Sequence, residues 1–297
     1  MTDPSLSTVE VAAGDRSARR IGVVRRALGQ GRTRLGLALS AFIVLVAVVG
    51  PQIAPHSPSE FVGPPSKGPF PGAPLGTDYL GQDVLSRVLW GGWSVLWMAT
   101  AATVIGVVLG VVIGLVAASA RTLTDDLIMG ATDVVLAFPQ IVLVIVFVSM
   151  LGPELWLIVL LVAVSHAPRI ARLVRALAAE TMRKEYVEAA EVLGIPRYRI
   201  LAVEVLPNLT TPLLVEASLR LVWSIGIVAG LSFLGYGIQP PNAEWGLMIN
   251  ENRIALSVQP WAVVLPVLLI AIFAVGTSLI AEGLSRSIAG VDREAEV

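Results

Sequence analysis

Residues Glu185–Asn208 read EYVEAAEVLGIPRYRILAVEVLPN, a stretch that looks like two short soluble helices set inside a far more apolar chain. Tyr186, Ala189, Ala190 and Leu193 fall at i, i+3, i+4 and i+7, one apolar stripe on a helix, with Lys184, Glu188 and Glu191 opposite. Gly194 stands where a left-handed C-cap would end that helix, and Pro196 where the next would open. A second short helix is expected through RYRILAVEVL, ended by Pro207. A helix this short is unstable alone in water and needs a surface to pack on. The small side chains of Ala189 and Ala190 allow close approach. The pattern leaves two surfaces open: the chain's own bundle, or another protein.

The surroundings set the class. Of 297 residues, 55% are hydrophobic and 14% charged, and the mean hydropathy is +0.79. Soluble domains carry roughly a quarter charged residues. Apolar runs near the length that crosses a bilayer recur six times, roughly at Leu35–Ile53, Trp93–Ala118, Leu127–Leu151, Leu155–Val174, Leu213–Gly237 and Trp261–Leu284. The expected fold is all-α and integral to the membrane. The chain has no cysteine, which excludes disulfides, thiolate metal sites and a cysteine nucleophile. Two histidines, His56 and His166, leave little for a histidine metal centre, and none is expected.

Orientation follows from the cations, which stay on the cytoplasmic side. Arg16, Arg19, Arg20, Arg25, Arg26, Arg32 and Arg34 precede the first span, and Arg121 separates the second and third. Arg169, Arg172, Arg175, Arg183, Lys184, Arg197 and Arg199 follow or end the fourth, and Arg286 and Arg293 follow the sixth. Of 21 Lys and Arg residues, only Lys67, Arg87 and Arg253 fall on the other side, with Arg220 inside a span. Both termini, and the opening stretch, are therefore expected in the cytoplasm of a plasma-membrane protein. Residues 1–34 form a basic N-terminal segment and 35–297 a six-span domain. In the first, Ile21, Val24 and Leu28 at helical spacing fit either a surface-lying helix at anionic lipid or a disordered basic tail. The external loops are 51–92, rich in Pro and Gly and read as turns rather than packed elements, and 238–260; the cytoplasmic loop is 175–212. The net charge of −1 gives no sign of nucleic acid, and no such partner is expected.

EAAEVLGIPRYRILAVEVLP resembles the signature loop of ABC importer permeases: EAA, three residues, Gly, nine residues, a usual Ile, one residue, Leu-Pro. Glu188, Ala189, Ala190, Gly194, Leu206 and Pro207 match, and Glu204 stands in the Ile slot. PLGTDYLGQDVLSRVLWG, DVVLAFPQIVLVIVFV and GLSFLGYGIQPPNAEWGLMI are similar to segments of the dipeptide, oligopeptide and nickel permeases, C-type subunit. The resemblance implies a type I importer fold and the membrane half of an ATP-driven importer. It implies that Glu185, Tyr186, Leu193 and the matched residues couple to two cytoplasmic ABC ATPase subunits or domains. It further implies a B-type permease partner and an external peptide-binding protein. The chain has no G-x-x-x-x-G-K-[ST] loop, so ATP and Mg are expected on the partner ATPases and no cofactor on this chain.

Gly106, Gly110 and Gly114 repeat every fourth residue, a groove for a close-packed helix. Asp133, Glu216 and Arg220 are charged residues within or near span ends and are suspects by default. Glu216 and Arg220 at i, i+4 are expected to form a structural ion pair near the cytoplasmic end of the fifth span, and Asp133 is likewise read as structural. Pro139 and Pro266 should kink their spans. Two rival readings make different demands on the residues. An ion-driven secondary transporter would want carboxylates deep in several spans and inverted repeats of broken helices. A hydrolase would use Ser165 or Ser232 with His166, but no orienting third group is evident.

Overall fold

The computed structural model describes residues 26–120 and 122–295, with side chains through Ser287. The surface helix suggested for the basic segment, and Arg121, lie outside the described residues, apart from exposed Leu28. The main elements of the described residues are helices: α1 (Gly31–Ile53), α2 (Val84–Ser119), α3 (Thr122–Ala137), α4 (Gln140–Leu151), α5 (Leu155–Thr181), α6 (Glu185–Val192), α7 (Arg197–Ile200), α8 (Leu206–Phe233), α9 (Trp245–Asn252) and α10 (Trp261–Ala295).

Five helices are long and apolar enough to cross a membrane: α1, α2, α5, the run Arg197–Phe233, and α10. The third expected span is two helices, α3 and α4, bent by 83°. Pro139 causes the break. It lacks an amide hydrogen and disfavours helical backbone at Phe138 before it. The sequence promised a local kink; the structure turns almost a right angle. The pair still joins opposite ends of the bundle. Asp125 of α3 binds Arg175 near one end of α5, while Gly152–Glu154 lead α4 straight into the other end. With the pair taken as one broken crossing, the count is six.

Two boundaries move for physical reasons. The second crossing starts at Val84 rather than Trp93, because Asp83 caps it by accepting from the Ser86 amide at 2.9 Å. Pro207 does not end a helix. A π-helical turn at Leu201–Val205 precedes it, with the Leu206 amide reaching Leu201 O, so the chain runs on through α8. The wider turn accommodates a residue that cannot donate and would crowd the carbonyl four places back.

The core is seamed by close helix contact. Between α2 and α5, a Cβ on Gly106 would meet Ala163 O at 2.9 Å, one on Gly110 would meet Ile170 Cβ at 2.5 Å, and one on Gly114 would meet Ala171 O at 2.6 Å. The glycine groove is filled by a helix of the same chain. A second seam, not anticipated, joins α1 to α10, where Gly36 approaches Gly276 O.

Segments 51–92 and 238–260 are packed elements, contrary to the expectation for 51–92. Arg87, 1% exposed, binds Asp78, Gln82 Oε1 at 2.7 Å and Glu251 Oε2 at 3.0 Å, tying loop 51–92 to α9. The Tyr79 hydroxyl donates to Glu251 at 3.0 Å, and Trp245 Nε1 donates to Val88 O at 2.9 Å. Composition signalled turns here; the buried charge cluster that orders them pairs residues more than 150 positions apart.

Candidate coupling loop and the polar path at membrane depth

The elbow at Glu185–Asn208 is α6, a bend at Gly194, then α7. Gly194 has φ +74°, and the Ile195 amide donates to Ala190 O at 3.1 Å, closing the helix in a left-handed cap. A Cβ there would meet nothing within 4 Å, so glycine is required by the sign of φ alone. Arg197 and Glu191 face each other across the bend at 3.4 Å.

The packed side of α6 is not the stripe expected. Val187, fully buried, and Ala190 press on Ile170, Val174 and Ala178 of α5 and on Ile200, Val205 and Leu209 beyond the bend. Of the expected stripe, Ala190 alone turns inward. Tyr186, Ala189 and Leu193 are exposed, together with Glu185 and Glu188. The neighbouring stripe, one residue along, won because Val187 is branched and apolar and fits a bundle surface better than a tyrosine. Asn208 donates to the Tyr186 hydroxyl at 3.2 Å, which steadies the ring at the rim. Val192, Leu193 and Tyr198 are at least 75% exposed at the tip, an apolar knob beyond the end of the bundle. Leu206 and Pro207 are half-buried where the elbow re-enters the bundle.

At membrane depth the helices are joined by a chain of polar side chains. His166 lies eleven residues into α5, about 17 Å at 1.5 Å per residue, near the middle of a core about 30 Å thick. Gln140 Nε2, with the amide so assigned, donates to His166 Nδ1 at 3.0 Å and to Ser165 Oγ at 2.6 Å. His166 Nε2 then donates to Ser224 Oγ at 2.9 Å, Ser224 to Thr103 Oγ1 at 2.9 Å, and Thr103 to Ala99 O at 2.8 Å. Every proton in that order has an acceptor, as buried polar groups require. The helices α2, α4, α5 and α8 are thereby clamped at one level. Gln140 and Ser224 lie 26 and 58 residues from His166 in the chain, so chain order gives no sign of either partner. His166 pairs with Ser224, not with Ser165 or Ser232, so the residues weighed for a hydrolase do not assemble.

The charged residues sit just below. Glu216 and Arg220 form the i, i+4 pair at 2.8 Å. Arg220 is one turn and Glu216 two turns from Ser224, on the elbow side of the polar chain. The helix starts well before the apolar run that suggested a span end. Asp133 pairs with Arg172 across α3 and α5.

A family model described as the inner membrane component of binding-protein-dependent transport systems matches residues 110–290, which hold the broken third crossing, the elbow and, of the polar chain, Gln140, Ser165, His166 and Ser224. The chain belongs to that family. It is an inner-membrane permease, multi-pass and helical. Its relatives include the di/tripeptide permease DppC of Pseudomonas aeruginosa, 36% identical over 84% of either chain. The dipeptide permease DppC of Haemophilus influenzae is 32% identical over 84% of this chain and 87% of that one. The glutathione permease GsiD of Shigella flexneri is 35% identical over 85% of each. Among solved structures, the inward-facing MetNI methionine ABC transporter matches this permease with a TM-score of 0.53, covering 67% of this chain and 96% of that one at 19% identity. That last likeness concerns the fold.

Proposed function

We propose that this permease is the C-type membrane subunit of an ATP-driven importer of dipeptides or oligopeptides. A B-type permease forms the other half of the path, two cytoplasmic ABC ATPases supply the energy, and an external binding protein delivers the peptide. The chain itself performs no catalysis, and ATP and Mg belong to the ATPases. Both termini and the elbow lie in the cytoplasm, in keeping with the arginines around the ends of α1, α5 and α10.

One observation carries this reading. The elbow has one face locked to α5 through Val187 and Ala190, an open face where Tyr186 and Ala189 stand among glutamates, and an open apolar tip, the shape of a lever with a free handle. When ATP closes the two ATPases, a helix seated on them moves, and its packed face carries the displacement into α5 and α8. Directional transport then needs the solute to bind the inward and outward states with different affinity. The glutathione relative supports a second substrate reading, a γ-linked tripeptide, for the same machine.

The test is site-specific cross-linking. A single cysteine at Ala189, on the open face, should couple to an ATPase subunit in intact membranes. Capture of this polypeptide alone would defeat the lever reading.

A further inference from the structure

Three features that the proposed lever does not use lie on one side of the bundle. The first is the break between α3 and α4. It sits at the depth of His166, because Gln140 at the start of α4 bonds to that ring, and Phe138 is 58% exposed there. Backbone outside a helix at this depth is tolerated where protein covers it or where it lines a water-filled cavity, not where it meets lipid.

The second is Trp223, beside Ser224 on α8 and 57% exposed, whose indole N–H has no hydrogen-bond partner among the described residues. Indoles favour the membrane interface, where that proton meets water. At mid-depth against hydrocarbon it would go unmet. Two turns further along the same face, a Cβ on Gly230 would lie 3.7 Å from Ile141 Cδ1, so this face of α8 adjoins the start of α4.

The third is Arg169. It is exposed on α5 one turn from His166 and within electrostatic reach of both His166 and Arg220. Arg172 is engaged by Asp133 and Arg220 by Glu216, whereas Arg169 has no ion-pair or hydrogen-bond partner among the described residues. An unpaired guanidinium at membrane depth is costly in lipid and marks a solute path. Its planar fork of donors matches a carboxylate.

We propose that the side of the chain bearing Phe138, Trp223 and Arg169 faces water within the translocation path, and that Arg169 is its recognition point for an anionic group of the solute, such as a peptide carboxylate. This rests on the permease reading above. On α2, away from the glycine seam with α5, Val108 and Val112 are half-exposed and apolar, as expected of a face without water.

The native chain has no cysteine, so single cysteines report cleanly. In the assembled complex in membranes, Phe138→Cys and Trp223→Cys should react with small charged methanethiosulfonates, while Val108→Cys and Val112→Cys stay inert. Trp223→Cys should react faster with the anionic reagent than with the cationic one. Adding Arg169→Gln should cut that preference by about 3- to 10-fold, the effect of one unit charge at several ångströms in a wet cleft, and Arg169→Lys should keep it. If Phe138→Cys and Trp223→Cys are as inert as the valine positions, the water-facing assignment fails. If they react with no charge preference, or with one that Arg169→Gln leaves intact, the recognition role fails. Neither result depends on ATP or on the Ala189 cross-link, so the lever reading is judged separately.

Discussion

Adding one methyl group at Gly110 should cost this permease stability that the same change at Gly130 does not. A Cβ at Gly110 would stand 2.5 Å from Ile170 Cβ, 2.7 Å from Ile170 Cγ2 and 2.8 Å from Ala167 O. All three are below what real side chains show, and none can swing away. The oxygen is backbone in the middle of α5, and Ile170 is fully buried. The helices must part, and overpacking of this kind costs about 1–3 kcal/mol. Alanine returns up to about 1 kcal/mol through its better helix propensity, so the net loss is about 1–2 kcal/mol. For a chain of this size that corresponds to a fall in melting temperature of roughly 2–8 °C. Gly130, on α3, has open space where its Cβ would be, so Gly130→Ala keeps the propensity gain and should melt at or slightly above wild type. The assay is monodispersity on size exclusion after heating detergent-solubilised protein through a temperature series. Equal midpoints for Gly110→Ala and Gly130→Ala would refute the claim that α2 and α5 meet backbone to backbone.

Two further outcomes follow from other parts of the molecule. Gly194→Val forces a branched side chain into φ +74° and should cost about 1–2 kcal/mol locally, leaving the protein in the membrane but abolishing ATP-dependent uptake. Gly194→Asn, which tolerates that conformation, should retain most transport; full uptake by the valine variant would count against the elbow as a lever. Outside the spans, Glu244 is fully buried at the start of α9. Burial pushes its pKa from 4.5 up to about 7, against the pull of the Gly246 and Leu247 amides. A raised native pKa means its contribution to docking is present in full below about pH 4.5 and is lost as pH rises through about 7, by an amount on the order of 3 kcal/mol. Amide exchange in Trp245–Asn252 should therefore quicken between pH 5 and 8, after correction for intrinsic exchange, and Glu244→Gln should flatten the trend. A variant with the wild-type pH dependence would place the titrating group elsewhere, Glu251 being the nearest candidate.

The elbow shows how far a local pattern reaches. The helix, the cap at Gly194 and the second helix at Arg197 were all legible, because capping and turn chemistry are decided within a few residues. Which face packs was not. Tyr186, Ala189 and Leu193 make as good a stripe as Val187 and Ala190, and the choice belongs to α5, whose shape is not written in the elbow. Pro139 and Pro207 make the same point. Both lack an amide hydrogen, yet one breaks its span by 83° and the other is absorbed in a π turn, depending on what supports the chain on either side.

By itself the sequence determined a helical chain built for a bilayer, because length and apolarity of a segment decide its partition between water and lipid without reference to neighbours. It also determined the bent helix pair of the elbow, through glycine and proline at fixed offsets. Tertiary structure alone decided that His166 is clamped between Gln140 and Ser224 and that Arg87 is buried between Asp78 and Glu251. Hydrogen bonds and ion pairs act over a few ångströms, and folding, not chain order, brings those atoms within that range.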